Sequence, residues 1–281
     1  MSRLVHIVTL NWQNWRETFV LLHALRELRY DPFQTVVVDN GSKDDSVPRL
    51  RETFPEISIL EEKTNLGFGG GNNAAIRRAL DAGADYVWLI NNDANPAPDA
   101  LAALVDVAER DPRAGAVGSV ILNRDRPEQV DAWGGGTVVP WVGYARFSRG
   151  PGEPLQYITG TSMLLKAAAL RDVGLFDERF FLYWEDTDLS FRLRQKGWNL
   201  AVAKSSRVWH TMSTTTGKDP YNRAYHIMRS HVLFLRKHAA AALPKALTAL
   251  VLQSLGKLRH ANLVALRAIW AGWLAGWKPA V

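Results

Sequence analysis

The feature that most restricts the fold is an alternation in the first 110 residues. Short apolar runs rich in β-branched residues take turns with segments whose apolar residues recur at helical spacing. LVHIVTL (4–10), QTVVVDNGS (34–42), ISILEEK (57–63) and YVWLINND (86–93) read as buried strands. WRETFVLLHALREL (15–28), residues 43–54, GGGNNAAIRRALDAG (69–83) and PDALAALVDVAER (98–110) read as the helices that follow them. Strands alternating with helices imply βαβ units, so the expected class is α/β with a mostly parallel sheet. Ligands of such sheets bind beyond the carboxyl ends of the strands. Polar residues stand at those ends here: Asn11, Asp39 and the cluster Asn91-Asn92-Asp93.

The second half reads differently. AGAVGSVIL (114–122) is a strand pattern, and residues 123–156, rich in Gly, Pro, Trp and Arg, suit hairpins and loops over one end of the sheet. YITGTSMLLKAAALRDVG (157–174) reads as strand, tight turn, strand and helix. FLYWEDTDLSFRLRQKG (181–197) is helical from about Glu185, and NLAVAKSSRVWH (199–210) is a strand closing at His210. Beyond Tyr221 the pattern is helical, basic and rich in Trp. The expected organisation is one domain over 1–220, its halves meeting near residue 110, with helices over 221–281.

Composition narrows the function. The absence of cysteine excludes disulfides, thiolate metal sites and a cysteine nucleophile. No apolar run approaches the roughly 20 residues of a membrane span, and no signal peptide is visible, so a cytoplasmic protein is expected. The net charge of +6 is unevenly spread: residues 200–281 hold 12 of the 34 basic side chains and one of the 28 acids, Asp219. A basic tail on a mildly acidic body points to an anionic partner.

Four stretches can carry chemistry. In VVVDNGSKDDS, Asp39 and its neighbours make a turn on the plain reading; at the end of a second strand, Asp39 can also accept a hydrogen bond from a ligand N–H. In TNLGFGGGNNAAI, three glycines before a helix permit close backbone approach to an anion, or simply a tight loop. The spacing is neither that of a P-loop nor that of a dinucleotide fingerprint. In WEDTDLSFRLR, acids in a first helical turn offset the macrodipole, and Asp188 with Arg192 is an i,i+4 pair. Glu185 and Asp186 sit among Phe180, Phe181, Tyr183 and Trp184, where a carboxylate can act as a general base and aromatic faces suit sugars. In VWHTMS, His210 ends a strand as Asp93 does, and the two could share a divalent cation with phosphate oxygens completing its shell.

Taken in order, VTLNW, VVDNGSKDDS, NLGFGGGNN, LINNDANP, GTSMLL, GLFDERFFLYWEDTDLSFRLRQKGW and VWH resemble glycosyltransferase family 2, the inverting nucleotide-sugar transferases with the GT-A fold. The likeness runs from about Leu4 to His226 and is greatest to bacterial rhamnosyltransferases of cell-surface polysaccharide synthesis. It implies a catalytic domain over 1–220, with a nucleotide-sugar half (about 1–110) and an acceptor half (about 111–220). It assigns Thr9, Asn11, Asp39, Asn65, Gly67, Asn72, Asn91 and Asn92 to the nucleotide-sugar. It assigns Asp93 and His210 to Mg²⁺ or Mn²⁺, with NND in place of DxD. Asp186 is implied as the base with Glu185 beside it, and Gly160, Thr161 and Trp184 lie toward the acceptor. The implied donor is dTDP-rhamnose, with a UDP-sugar as the alternative, and the implied acceptor a glycan or polyprenyl-diphosphate-linked glycan.

Three rivals are weaker. A nucleotidyltransferase needs a glycine-rich basic loop after the first strand, where this chain has NWQNWRET. A non-catalytic nucleotide-sugar-binding protein would not need Asp93 and Asp186. Nucleic-acid binding by the tail lacks a recognition motif. The tail, 239–281, places Lys245, Lys257, Arg259 and Arg267 between apolar residues at helical spacing. That suits a helix lying on an anionic membrane at the inner face of the cytoplasmic membrane, or equally a helical pair packed on its own domain or on the second subunit of a homodimer.

Overall fold

The computed structural model describes residues 2–211 and 219–278; the Met212-Ser213 end of the VWHTMS stretch lies outside them. The chain runs β1 (Val5–Asn11), α1 (Trp15–Arg26), β2 (Phe33–Asp39), α2 (Ser46–Thr53), β3 (Ser58–Glu61), α3 (Gly67–Asp81), β4 (Tyr86–Ile90), β5 (Ala94–Pro96) and α4 (Ala100–Arg110). It continues with β6 (Ala114–Asn123), β7 (Val130–Trp133), β8 (Gly135–Val139), β9 (Tyr144–Phe147), β10 (Tyr157–Ile158), β11 (Ser162–Lys166), α5 (Ala167–Val173), α6 (Glu185–Gln195) and β12 (Asn199–His210). Three helices end it: α7 (Pro220–His238), α8 (Ala242–Arg259) and α9 (Leu263–Trp277).

The main sheet has the order β3-β2-β1-β4-β11-β6-β12-β5, with β7 added on β6. β3, β2, β1 and β4 are parallel, as the alternating pattern requires. The sheet is mixed because β11 enters from a tight turn at the carboxyl end of β4. It must therefore run backwards, pairing Ser162 with Ile90 and Lys166 with Tyr86. β12 lies parallel to β6 on the far side. A smaller antiparallel sheet, β10-β8-β9, covers one end.

Successive residues of a strand face opposite ways, and the central strands are apolar on both faces because helices cover both. Ile7 and Trp88 join Leu21, Leu25, Leu101 and Leu104 beneath α1 and α4. Val8 and Leu89 join Ile76, Leu165 and Leu189 beneath α3 and α6. Each such buried side chain is worth about 1.5–3 kcal/mol of transfer free energy. Polar atoms inside this core are satisfied in a line: the Trp88 indole N–H donates to Ser162 Oγ (2.9 Å), which meets Ser119 Oγ (2.7 Å), which meets Ser206 Oγ (2.8 Å).

The terminal helices have a core of their own, in which Met228, Val232 and Leu235 of α7 meet Ala246 and Leu250 of α8 and Ile269 of α9. Asp219 caps α7 by accepting from Asn222 N, and Pro220 takes the first helical position, where a missing N–H costs nothing. A Cβ on Gly272 would stand 2.3 Å from Tyr225 O, so α9 can lie backbone-close to α7 only with glycine there. α7 also fastens to the body: Ser230 Oγ donates to Leu182 O (2.9 Å), Arg229 to Arg179 O (2.8 Å) and Lys237 to Asp177 (2.8 Å).

Candidate active site

The polar strand ends form one hydrogen-bonded rim. β1 and β2 are in register with Asn11 opposite Asp39. Asn11 Nδ2 donates to Asp39 Oδ2 (2.7 Å), and Ser42 N donates to Asp39 Oδ1 (2.9 Å). Thr18 Oγ1 donates to Asn11 Oδ1 (2.8 Å), and Asn92 Nδ2 donates to Thr18 Oγ1 (3.0 Å). A relay thus runs from Asp39 through Asn11 and Thr18 to the NND cluster. Asp39 is buried, and each of its oxygens keeps a lone pair for a further donor. Thr9, two residues before Asn11 on the same strand face, is buried with an unpartnered hydroxyl.

Asp93 and His210 meet because of a strand that periodicity does not reveal. β5, three residues long, pairs antiparallel with β12 so that Ala94 stands opposite His210 and Pro96 opposite Val208. Asp93 precedes that pair, and its Oδ1 lies 3.0 Å from His210 Nε2. Both side chains are buried, and His210 Nδ1 has no hydrogen-bond partner. Asn91 N donates to Thr161 O (3.0 Å), which stitches the cluster to the turn before β11.

The glycine stretch corrects an expectation. Gly69, Gly70 and Gly71 do not form a loop that cradles an anion; they lie in the first turns of α3, buried. A Cβ on Gly71 would stand 2.5 Å from Leu10 Cδ1, and one on Gly69 3.0 Å from Phe176 Cβ. The glycines let α3 approach the end of β1 and the segment before α6. The amides at the helix start are already engaged, Gly67 N with Asn65 Oδ1 (2.8 Å) and Phe68 N with Phe181 O (2.8 Å). Asn40 holds this loop from the β2 side, donating to Asn65 Oδ1 (3.0 Å) and Gly67 O (3.1 Å) and accepting from Leu66 N (2.9 Å). Asn72 is buried and donates to Phe68 O (2.9 Å).

Glu185 and Asp186 begin α6 on a strained backbone. Tyr183 and Trp184 both adopt left-handed conformations, φ 65° and 72°, at a cost of about 1–3 kcal/mol each for residues with side chains. Asp188 N donates to Trp184 O (2.7 Å), and Ser230 on α7 holds the carbonyl of Leu182. The bend aims Asp186 at the turn before β11. Its Oδ2 accepts from Gly160 N (2.9 Å), and its Oδ1 from Thr187 N (2.6 Å) and Thr187 Oγ1 (3.1 Å). Burial raises the Asp186 carboxyl above the ordinary range, and those hydrogen bonds pull it part of the way back. Glu185 is buried more deeply. Burial first, then the Asp186 charge, pushes its carboxyl well up, and Oε2 makes no hydrogen bond. Gly160 lies against Phe68, whose Cζ would stand 3.0 Å from an added Cβ.

Two expectations about α6 resolve oppositely. Trp184 presents no face to an acceptor: its ring is 5% exposed and packs on His231 and Phe234 of α7. Asp188 and Arg192 form the expected ion pair (2.8 Å), but Asp188 also meets Lys237 (2.8 Å) and His238 (2.7 Å). The carboxylate is therefore a joint between α6 and α7. Asn73 is a further residue that the sequence reading passed over. It donates to Phe176 O (3.0 Å) and accepts from Phe176 N (3.0 Å), fixing the segment that leads to α6.

With this geometry in view, comparison with known proteins decides the family. The model of Glycosyl transferase family 2 matches residues 5–174. The chain belongs to this family. It is 33% identical over 234 residues to the N-acetylglucosaminyl-diphospho-decaprenol L-rhamnosyltransferase of Mycobacterium tuberculosis, spanning 74% of this chain and 76% of that protein. A low-salt glycan biosynthesis hexosyltransferase of Haloferax volcanii is 26% identical over 172 residues, 59% of this chain and 54% of its own. Among solved structures, a mannosyltransferase of Pyrobaculum calidifontis in complex with GDP-Man and Mn²⁺ covers the whole chain, and 77% of its own, at 21% identity and TM-score 0.62. GalNAc-T7 with UDP, GalNAc and Mn²⁺ covers 95% of this chain and 54% of its own at 13% identity and TM-score 0.66. The fold is GT-A, and this family 2 member is a glycosyltransferase.

Proposed function

We propose that this glycosyltransferase moves L-rhamnose from dTDP-rhamnose to a glycan carried on a polyprenyl diphosphate, with inversion at the sugar carbon and with a divalent cation. Two observations support the substrates: the identity to a decaprenol-linked rhamnosyltransferase, and Asp39 at the second strand end, whose free lone pairs suit a pyrimidine imide N–H. A UDP-sugar is the second reading, since uracil offers the same N–H. Asn11, Thr9, Asn65, Gly67 and Asn72 are assigned to the donor side, and Gly160 and Thr161 to the acceptor side.

The observation that carries the mechanism is the 160–161 turn. Gly160 N holds Asp186, and Thr161 O holds the Asn91 backbone. One short turn therefore links the carboxylate suited to take a proton with the strand end suited to the leaving diphosphate. Asp186 removes the proton from the acceptor hydroxyl. The hydroxyl oxygen attacks the anomeric carbon from the face opposite the diphosphate, the bond to the diphosphate oxygen breaks, and dTDP departs with the electron pair. No protein nucleophile is needed. Burial and the Asp186 charge push the Glu185 carboxyl well up, whereas the hydrogen bonds from Gly160 and Thr187 pull that of Asp186 part of the way back.

Asp93 and His210 suit the cation. A carboxylate oxygen and an imidazole nitrogen match Mg²⁺ or Mn²⁺, and among the described residues no third His, Cys, Asp or Glu joins them. The remaining ligands then come from donor phosphates and water. Such an ion, when bound, neutralises the charge on the leaving diphosphate. The test is Asp186→Asn, for which transfer should fall by about 10²–10⁴-fold with donor affinity kept. Transfer near the parental rate would remove Asp186 from this role. Thermal shifts with dTDP-rhamnose and UDP-sugars rank the donors by mass action.

A further inference from the structure

α8 reverses the usual arrangement of a surface helix. Its buried side carries Ala246, Ala249, Gln253 and Ser254 beside Leu250. Its solvent side carries Leu243, Leu247, Val251, Leu255 and Leu258, each between 42% and 57% exposed. Their spacing of four, four, four and three makes one apolar ridge along the helix. α9 adds Leu263, Trp270 and Leu274, each at least 50% exposed. Contiguous apolar surface of this extent marks an interaction site.

Gln253 Nε2 donates to Val142 O (3.0 Å), so the tip of the β8–β9 hairpin is fixed against the buried side of α8, opposite the ridge. Trp141 and Tyr144 at that tip are 48% and 46% exposed, and Lys245 Nζ sits 5.6 Å from the Trp141 ring.

Charge selects the partner. From Pro220 onward the sequence has no Asp or Glu, while Lys257 and Arg259 flank Leu258 in the last turn of α8 and Arg267 is exposed between Leu263 and Trp270 on α9. A second copy of the chain would bring two such sets of cations together, which like charge opposes. An anionic lipid surface takes both features at once: apolar side chains enter the headgroup boundary, and the cations meet lipid phosphates. No helix among the described residues is long and apolar enough to cross a membrane, so contact with a bilayer would be made at its surface.

We propose that the exposed apolar sides of α8 and α9 form one docking face for an anionic membrane surface. The face is argued from exposure and charge, independently of which sugar is transferred.

The test is flotation of the full chain with vesicles of phosphatidylcholine alone or mixed with phosphatidylglycerol. Binding to the mixed vesicles should exceed binding to the neutral ones by at least about tenfold and fall with added salt, as cations near the surface require. Val251→Glu with Leu255→Glu should abolish flotation with an unchanged melting temperature, because both positions are exposed. Lys257→Glu with Arg259→Glu should weaken it through charge alone. The proposal is overturned by no flotation with mixed vesicles, or by flotation that both double variants leave unchanged. It is equally overturned by a dimer that Val251→Glu with Leu255→Glu turns into a monomer while neither form floats.

Discussion

Replacing Asp188 by alanine tests how the catalytic helix is held. The carboxylate is fully buried and receives Arg192 Nε at 2.8 Å, Lys237 Nζ at 2.8 Å and His238 Nε2 at 2.7 Å. Burial alone would raise its pKa. The His238 hydrogen bond and the charges of Arg192 and Lys237 outweigh burial and hold it below the ordinary range. Removing one partner of a buried ion pair costs about 3–5 kcal/mol, because the others lose their counter-charge without regaining water. The lower end applies here. Arg192 keeps the carbonyls of Val173 and Leu175, and Lys237 keeps Asp177. At about 2–4 °C per kcal/mol for a domain of this size, the melting temperature at pH 7 should fall by roughly 6–12 °C. The pH dependence has a definite sign. A depressed carboxyl stabilises the fold above its unfolded pKa of about 4, and that contribution is lost as pH falls through the depressed folded value. The gap between parent and Asp188→Ala should therefore narrow in acid. Circular-dichroism melts at pH 7 and in acid decide it. A loss under about 2 °C at pH 7, or a gap that stays constant into acid, would refute the idea that Asp188 joins α6 to α7 by charge.

Glu185 should behave in the opposite sense. Its raised carboxyl contributes stability fully below the unfolded pKa and loses it as pH rises through the folded value. Glu185→Gln should thus melt at or above the parent in mild alkali and converge with it in acid; melts across pH check this. The acid limb of kcat/KM should lie above the ordinary aspartate value of about 4, because burial raises Asp186, and Asp186→Asn should remove that limb. Asp93→Ala should abolish the strengthening of donor binding by Mn²⁺, and EDTA should weaken donor binding to the parent, both read by calorimetry. Gly67→Ala should destabilise by about 1–3 kcal/mol or more. Its Cβ would stand 2.0 Å from Phe181 O on a backbone with φ 76°, and denaturant melts report the loss.

Strand and helix positions were readable because each buried strand is continuous in apolar residues and each helix shows its spacing. Three features escaped for physical reasons. Glycine is about 1 kcal/mol worse than alanine inside a helix, so Gly69-Gly70-Gly71 at the head of the 69–83 pattern suits a loop as well as a first helical turn. Close packing on Leu10 and Phe176 overrides that preference. Trp184 sits among aromatics in the sequence, but only the left-handed backbone at Tyr183 and Trp184 turns its ring toward α7. The tail pattern marks an apolar stripe on α8 without saying which side faces in. The small buried residues Ala246, Ala249 and Ser254 let the other side face out.

The NND cluster shows how far a strand end can be read. Asp93 and His210 are far apart in the chain, and no periodicity connects them. Their meeting depends on β5, which is too short to show alternation and exists because β12 offers a free edge at Val208–His210. That edge fixes a carboxylate beside an imidazole at 3.0 Å. A site with one carboxylate leaves a divalent cation under-neutralised. A donor diphosphate supplies both the missing charge and the missing oxygen ligands. Metal affinity and donor affinity should therefore rise together. By linkage, the factor by which Mn²⁺ strengthens dTDP binding must equal the factor by which dTDP strengthens Mn²⁺ binding. Titrating each ligand in the presence and absence of the other measures both factors. Tight Mn²⁺ binding to the free protein, with no gain on adding dTDP, would mean that the cation is held by side chains other than Asp93 and His210.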